Sequence, residues 1–212
     1  LEIHTCKGVK DTENSPLFRE DYFSEPARKW EPRYDNGYPN VIYDPREKIY
    51  RLYYTLFTKD PDSEKHPLEA RPGKQYSPRG DRITSTAYAE SRDGIHWEKP
   101  SLGLVEFEGS RDNNILMMYA HGTGVMLDEQ ELDPAKRYKL MTRVDYPGVP
   151  GFMAVSFSPD GIHWQELTRW PNHNPQADSH IYGRRGMVFA ILPLRLLQRA
   201  LYCPIEKSHA YG

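Results

Sequence analysis

Polar side chains suited to handling sugars gather in three short stretches of this sequence: YDNGYPN at 34–40, HGT at 121–123 and ADSH at 177–180. Asp35 and Asp178 are carboxylates, able to pass a proton or to attack a carbon. Asn36, Tyr38, Asn40, His121 and His180 pair with hydroxyl groups, and a tyrosine ring also offers a flat apolar face. Asp35 stands just before Asn-Gly, in what reads as a turn, and Asp178 equally fits a capping role at a strand entry. No His, Cys, Asp or Glu cluster has metal-site spacing, and no glycine-rich phosphate loop occurs, so neither metal nor cofactor is expected.

An acid and a histidine are also paired twice over. SRDGIHW at 91–97 and SPDGIHW at 158–164 put Asp93 three residues before His96 and Asp160 three before His163. Catalytic motifs rarely come as identical copies, whereas a repeated structural unit closes each copy in the same way. Asp93 and Asp160 are therefore expected to take backbone amides of their turns, with Gly94 and Gly161 supplying positive φ. Trp97 and Trp164 are expected to pack between neighbouring sheets.

Reading backwards from the two copies extends the match. Each unit has a short apolar strand (NVIY; GVML) and an Asp-Pro turn (Asp44-Pro45; Asp133-Pro134). A tyrosine- or arginine-bearing strand follows (KIYRLYY; RYKLMTR), then a third strand (STAYAES; FMAVSFS). The S-x-D-G turn leads into Ile-His-Trp, expected to begin a fourth strand. Repeated four-stranded meanders are the units of β-propellers, so the chain is expected to be all-β, with blades near 32–108 and 109–170. The first unit also holds a polar Pro- and Gly-rich connection, Lys59 to Asp81, of a length that points to a lid or a disordered loop.

Composition narrows the classes. The chain has 212 residues, a net charge of −2, 15 tyrosines, 18 prolines and 15 glycines, a content of turns and strands rather than helices. Nothing marks a nucleic-acid binder, and no apolar run is long enough for a membrane span. Cys6 and Cys203 lie at opposite ends and make no disulfide framework. There is no signal peptide, and the first residue is Leu1 rather than Met, so a lost N-terminus is expected.

YDNGYPNVIYDP, YAESRDGIHWEKPSLGL and the Arg-Tyr-Lys strand resemble the five-bladed β-propeller proteins known as glycosyl hydrolase family 32 N-terminal-like. These fall within the wider invertase, levansucrase and arabinanase group, and the resemblance spans roughly 14–180. It implies a funnel lined by the starts of the innermost strands, with carboxylates acting as nucleophile, transition-state stabiliser and acid/base. The corresponding positions are Arg33, Asp35, Asn36, Tyr38 and Asn40 in the first unit and His121 and Thr123 in the second. Asp178 and His180 stand at the entry to a third blade. The resemblance implies a furanosidase-like glycoside hydrolase with Asp35 and Asp178 as the catalytic pair and Asn36, Tyr38, Asn40, His121 and His180 as sugar ligands. A carbohydrate is the implied partner, and the parent would be secreted or periplasmic. The invertase N-D-P-N-G pattern would place its nucleophile at Tyr38; the nearest carboxylate is Asp35, and neither the R-D-P pattern nor the E-C dipeptide is present. A non-catalytic glycan- or protein-binding propeller, or an inactive fragment, is the alternative.

Past His180 the text changes. GRRGMVFAILPLRLLQRALYCPIEKSHAYG has no Asp-Gly turn, and Val188 to Tyr202 reads as an arginine-bearing amphipathic helix broken by Pro193. Residues 1–182 are expected to form a partial propeller of two blades and the start of a third. Residues 183–212 are expected to be an atypical tail left by truncation or a frame shift, the alternative being a membrane-surface or partner-binding helix. Two blades cannot close a five-fold ring, so the edges are expected to favour aggregation, without hydrolysis of furanosides.

Overall fold

A computed structural model describes residues 12–71 and 82–169, together with Gly8. Four strands, β1 (Arg33–Asp44), β2 (Ile49–Lys59), β3 (Ile83–Ser91) and β4 (Ile115–Met118), form one antiparallel sheet in the order β1-β2-β3-β4. A second antiparallel sheet repeats the plan with β5 (Ala120–Leu127), β6 (Tyr138–Val144), β7 (Phe152–Ser158) and β8 (Thr168–Arg169). The protein is all-β; helix among the described residues is limited to 3-10 turns at Ser63–Lys65, Leu68–Ala70 and Pro134–Lys136.

The two sheets repeat in register as well as in order. Ser91 lies opposite Tyr50 on the neighbouring strand, and Ser158 lies opposite Tyr138. Strand β2 is covered on both faces, with every residue from Arg51 to Thr58 buried. Tyr53, on the face toward the second sheet, joins Tyr88 and Leu116 against Val125, Tyr138 and Leu140. Leu52, Tyr54 and Leu56 face the other way, with Ala87 and Ala89, and there Phe18, Tyr34 and Trp97 cover them. Double coverage explains why IYRLYYTLFT lacks the polar alternation of a half-solvated strand.

The structure corrects the expected course of the chain in three places. Ile-His-Trp does not begin a fourth strand in either unit. In the first unit the bridge falls on Glu98 opposite Glu90, and the fourth strand comes at β4; in the second it is the short β8. The turn aspartates cause this, because they bind the amides of the next residues and curl the chain (below). The unit boundary accordingly falls between Met118 and Ala120, not near residue 108. Third, Trp164 packs between the sheets as expected, but Trp97 packs beneath Phe18 of the N-terminal segment, 6.5 Å away edge-on.

Residues 12–32 cover that face of the first sheet and are tied down by charge. Lys99 Nζ donates to Glu31 at 2.5 Å and to Asp21 at 2.8 Å, with Glu31 fully buried. The first part of the long connection is ordered too: Arg71 donates to the carbonyls of His66 at 2.9 Å and Pro32 at 2.5 Å. The rest of that connection, residues 72–81, and the expected helical tail lie outside the described residues.

Candidate functional site

The strand register defines two ends. Arg33 pairs with Phe57, and Lys59 with Ile83, at one end of the first sheet; Asp44 pairs with Ile49, and Tyr50 with Ser91, at the other. The two DGIHW turns therefore sit at the end opposite the start of β1.

Their geometry is structural. Asp93 Oδ1 accepts the amides of Ile95 and His96, each at 2.8 Å, and Oδ2 lies 2.7 Å from His96 Nδ1. Ser91 Oγ accepts the Gly94 amide at 2.8 Å. The second copy repeats every contact: Asp160 Oδ1 takes the Ile162 and His163 amides at 2.9 and 2.8 Å, with His163 Nδ1 2.7 Å from Oδ2. Gly94 and Gly161 have φ of 77° and 76°, the left-handed conformation the turn requires. His96 and the amides hold the Asp93 carboxyl well below the usual range. For Asp160 partial burial pushes the other way, but His163 and the amides prevail and bring it to about 2.

At the start of β1 the backbone departs from regular pairing. The register with β2 slips between Tyr34 and Gly37 and again between Gly37 and Asn40, so Asp35 and Asn36 lie within a bulged stretch. Gly37 has φ of 71°, and Tyr38 takes φ of 38°, a conformation few side chains tolerate. Strand β5 is irregular at the corresponding place, its register slipping between His121 and Gly124. Bulges on edge strands re-aim side chains. Here they bring Tyr38 and His121, 83 positions apart, into edge-to-face contact with centroids 5.4 Å apart.

The other expected funnel residues separate by role. Asn40 Oδ1 accepts the Val125 amide at 2.6 Å, a bond that joins β1 to β5. Thr123 is buried, and its hydroxyl bonds to those of Thr86 at 2.5 Å and Thr142 at 2.8 Å, tying β3 to β5 and β6. Asn40 and Thr123 thus hold the frame on which Tyr38 and His121 are presented. Asp178 and His180 lie outside the described residues.

Arg33, expected at the mouth, belongs to a cluster the sequence did not announce. Buried Asp60, just past the end of β2, lies 3.2 Å from Arg33 Nε through Oδ2 and 3.2 Å from Arg82 Nε through Oδ1. Ser63 Oγ donates to Oδ2 at 2.8 Å. Both guanidiniums also lie against the ring of Phe57, with centroid distances of 4.7 and 5.3 Å. Asp60 stands in the long polar connection and Arg82 one residue past its end; only the end of β2 and the start of β3 bring them together. Among the described residues, no group of three or more His, Cys, Asp or Glu side chains is arranged to hold a metal ion.

No family model matches this chain, and no curated protein is similar enough to count as a relative. Among solved structures, it is similar to an N-acetylgalactosamine deacetylase from F. plautii, determined in complex with blood group B trisaccharide. The identity is 17% and the TM-score 0.32, over 64% of this chain and 30% of that one. The chain thus spans less than a third of the length of that protein.

Proposed function

We propose that the two sheets are successive blades of a glycosidase-like β-propeller, and that its mouth, where β1 and β5 begin, binds a carbohydrate. The observation that carries this reading is the Tyr38–His121 contact: two rings from separate sheets, placed at one mouth by matching irregularities of β1 and β5. A tyrosine ring stacks on the apolar face of a sugar, while an imidazole exchanges hydrogen bonds with its hydroxyls. The repeated strand order and the Asn40–Val125 bond support the blade assignment. In this reading Asp35, in the bulge before Tyr38, is the carboxylate for glycosidic chemistry, with Asn36 beside it as a ligand. Asp178 would be its acid/base partner and His180 a further sugar ligand. Furanosides are the substrate class implied by the sequence resemblance.

Glycan binding without turnover is the second reading. Tyr38 favours it, because this tyrosine, packed on His121, occupies the position where the invertase pattern carries its nucleophile.

Calorimetry with a panel of neutral oligosaccharides, run beside a reducing-sugar assay, tests both. Loss of one ring contact is expected to weaken binding by roughly tenfold in Tyr38→Ala and in His121→Ala. Sugar release abolished by Asp35→Asn supports hydrolysis, and binding with no release supports the second reading. Binding unchanged in both ring variants would refute the site.

A further inference from the structure

We infer that the paired arginines beside Phe57 form an anion subsite, and that it takes the carboxylate of a uronic sugar. The inference rests on the carbohydrate reading above and names the substrate class. Arg33 and Arg82 share one buried carboxylate, Asp60, and the contacts on it use both of its oxygens: Oδ1 faces Arg82, while Oδ2 faces Arg33 and Ser63. Two nearby acids, Glu64 and Glu20, are engaged elsewhere. Glu64 Oε1 accepts the Asp60 amide at 2.9 Å, and Glu20 lies 3.8 Å from Arg71.

Arg82 Nη2 is buried and finds no acceptor among the described residues. Buried guanidinium donors without acceptors are costly and rare, so this one points to a group that no described residue supplies. The arginine side chains are not sealed in, with 21% of Arg33 and 12% of Arg82 exposed. Phe57 braces both guanidiniums, and Asp60 holds Arg82 by a hydrogen bond through Nε and Arg33 as an ion pair, which orients both before any ligand arrives. A planar fork of this kind matches a carboxylate better than a hydroxyl, and held in advance it loses little freedom on binding. Position decides the ligand. Arg33 opens the same strand that carries Tyr38, so the anion would be borne by a sugar reaching the mouth.

The test is calorimetry on the full 212-residue chain. The probes are trigalacturonate, its fully methyl-esterified form, which keeps the shape and loses the charge, and sodium sulfate. Trigalacturonate is expected to bind about tenfold or more tighter than the ester, the worth of one charge-assisted hydrogen bond. That preference should vanish in Arg82→Gln, persist in part in Arg82→Lys, and shrink as salt is raised. Melting curves establish that the variants are folded. Should Arg82→Gln not fold, the wild-type comparison of acid with ester, and its salt dependence, decide alone.

Equal binding of acid and ester, no binding of the acid, or a preference that survives Arg82→Gln would overturn the inference. Sulfate bound through Arg82 while trigalacturonate is not would also overturn it, leaving a small-anion site. Ester binding lost in Tyr38→Ala, with no preference for the acid, removes the anion subsite and leaves the carbohydrate reading standing. Acid binding that needs Arg82 but ignores Tyr38 and His121 supports the subsite and removes that reading instead.

Discussion

Asp44, the last residue of β1, closes its own hairpin and clamps the next sheet through Arg137. Oδ1 accepts the Arg46 amide at 2.9 Å; across the sheets Arg137 reaches both carboxylate oxygens, at 2.7 and 2.8 Å, and the Tyr138 hydroxyl donates to Oδ2. Asp44 is fully buried, and Arg137 nearly so. One side chain thus couples a turn within the first unit to the packing of the second.

Removing one partner of this clamp should cost more than the pair contributes. Arg137→Met leaves a buried carboxylate without its counter-charge and is expected to destabilise by about 3–5 kcal/mol, with part recovered in Asp44→Asn/Arg137→Met. Burial raises the Asp44 carboxyl, but Arg137 and Tyr138 outweigh it and hold it well below the usual range. A depressed folded pKa adds stability that is complete above the unfolded value, near 4, and lost as pH falls below it. Urea titrations at pH 7 and pH 3 check this. A wild-type stability that does not fall, or a variant that loses as much as wild type, would count against the clamp.

The two turn glycines should behave unequally. Both need positive φ, so alanine costs about 1 kcal/mol at either through backbone strain alone. At Gly94 the atoms nearest to an added Cβ are those of the Tyr50 ring at 3.7 Å, an ordinary contact. At Gly161 it would collide with the Tyr53 hydroxyl and press on the Tyr138 ring at 3.1 Å, inside the core shared by the sheets. Gly161→Ala is expected to lose a further 1–3 kcal/mol or so to overpacking. Equal melting shifts for the two variants would show that the second turn does not dock against the first sheet.

Asp160 carries a measurable pH signature. With its folded pKa at about 2 against an ordinary 3.8, its contribution is full above pH 4 and lost as pH falls from about 4 to 2. Asp160→Ala should cost about 1 kcal/mol at pH 7, discounted because the carboxylate is partly exposed, and nothing further at pH 2. Asp93→Ala should act in the same direction and less, since its turn packs in the open. A pH-independent loss in Asp160→Ala would mean that the carboxylate charge plays no part.

Lys99 is predicted to be the pin of the N-terminal segment. Burial pushes Glu31 up, and Lys99 pulls it back without fully offsetting the rise. Lys99→Met strands Glu31 in the core and should destabilise by about 3–5 kcal/mol, with much of that recovered by Lys99→Met/Glu31→Gln. Limited proteolysis should then cut within residues 12–32 in the single variant first. Wild-type protection there would show that apolar contacts such as Phe18 on Tyr54, 4.9 Å apart, hold the segment without the lysine.

Local chemistry was legible in the sequence. The S-x-D-G turn is held by bonds between residues two and three apart, so its composition states its geometry, and two copies state a repeat. Strands β1 to β3 and β5 to β7 could be placed by the same means, because tight turns bound most of them. The course after each DGIHW was not legible, because ILMM can begin a new unit as readily as end an old one. Its place beside β3 is set by the pairing of Ser85 with Met118 and Thr86 with Met117, across more than thirty positions.

The site divides along the same line. Sequence alone determined that Asp35, Tyr38 and His121 stand near the starts of corresponding strands, since position within a repeat is a local property. Only the tertiary structure decided that Tyr38 meets His121, that Asn40 and Thr123 serve as joints, and that Asp60 gathers Arg33 and Arg82. Those relations depend on bulge placement and on how one sheet packs on the next. Free energies of that kind are summed over distant residues, and no short stretch of sequence contains them.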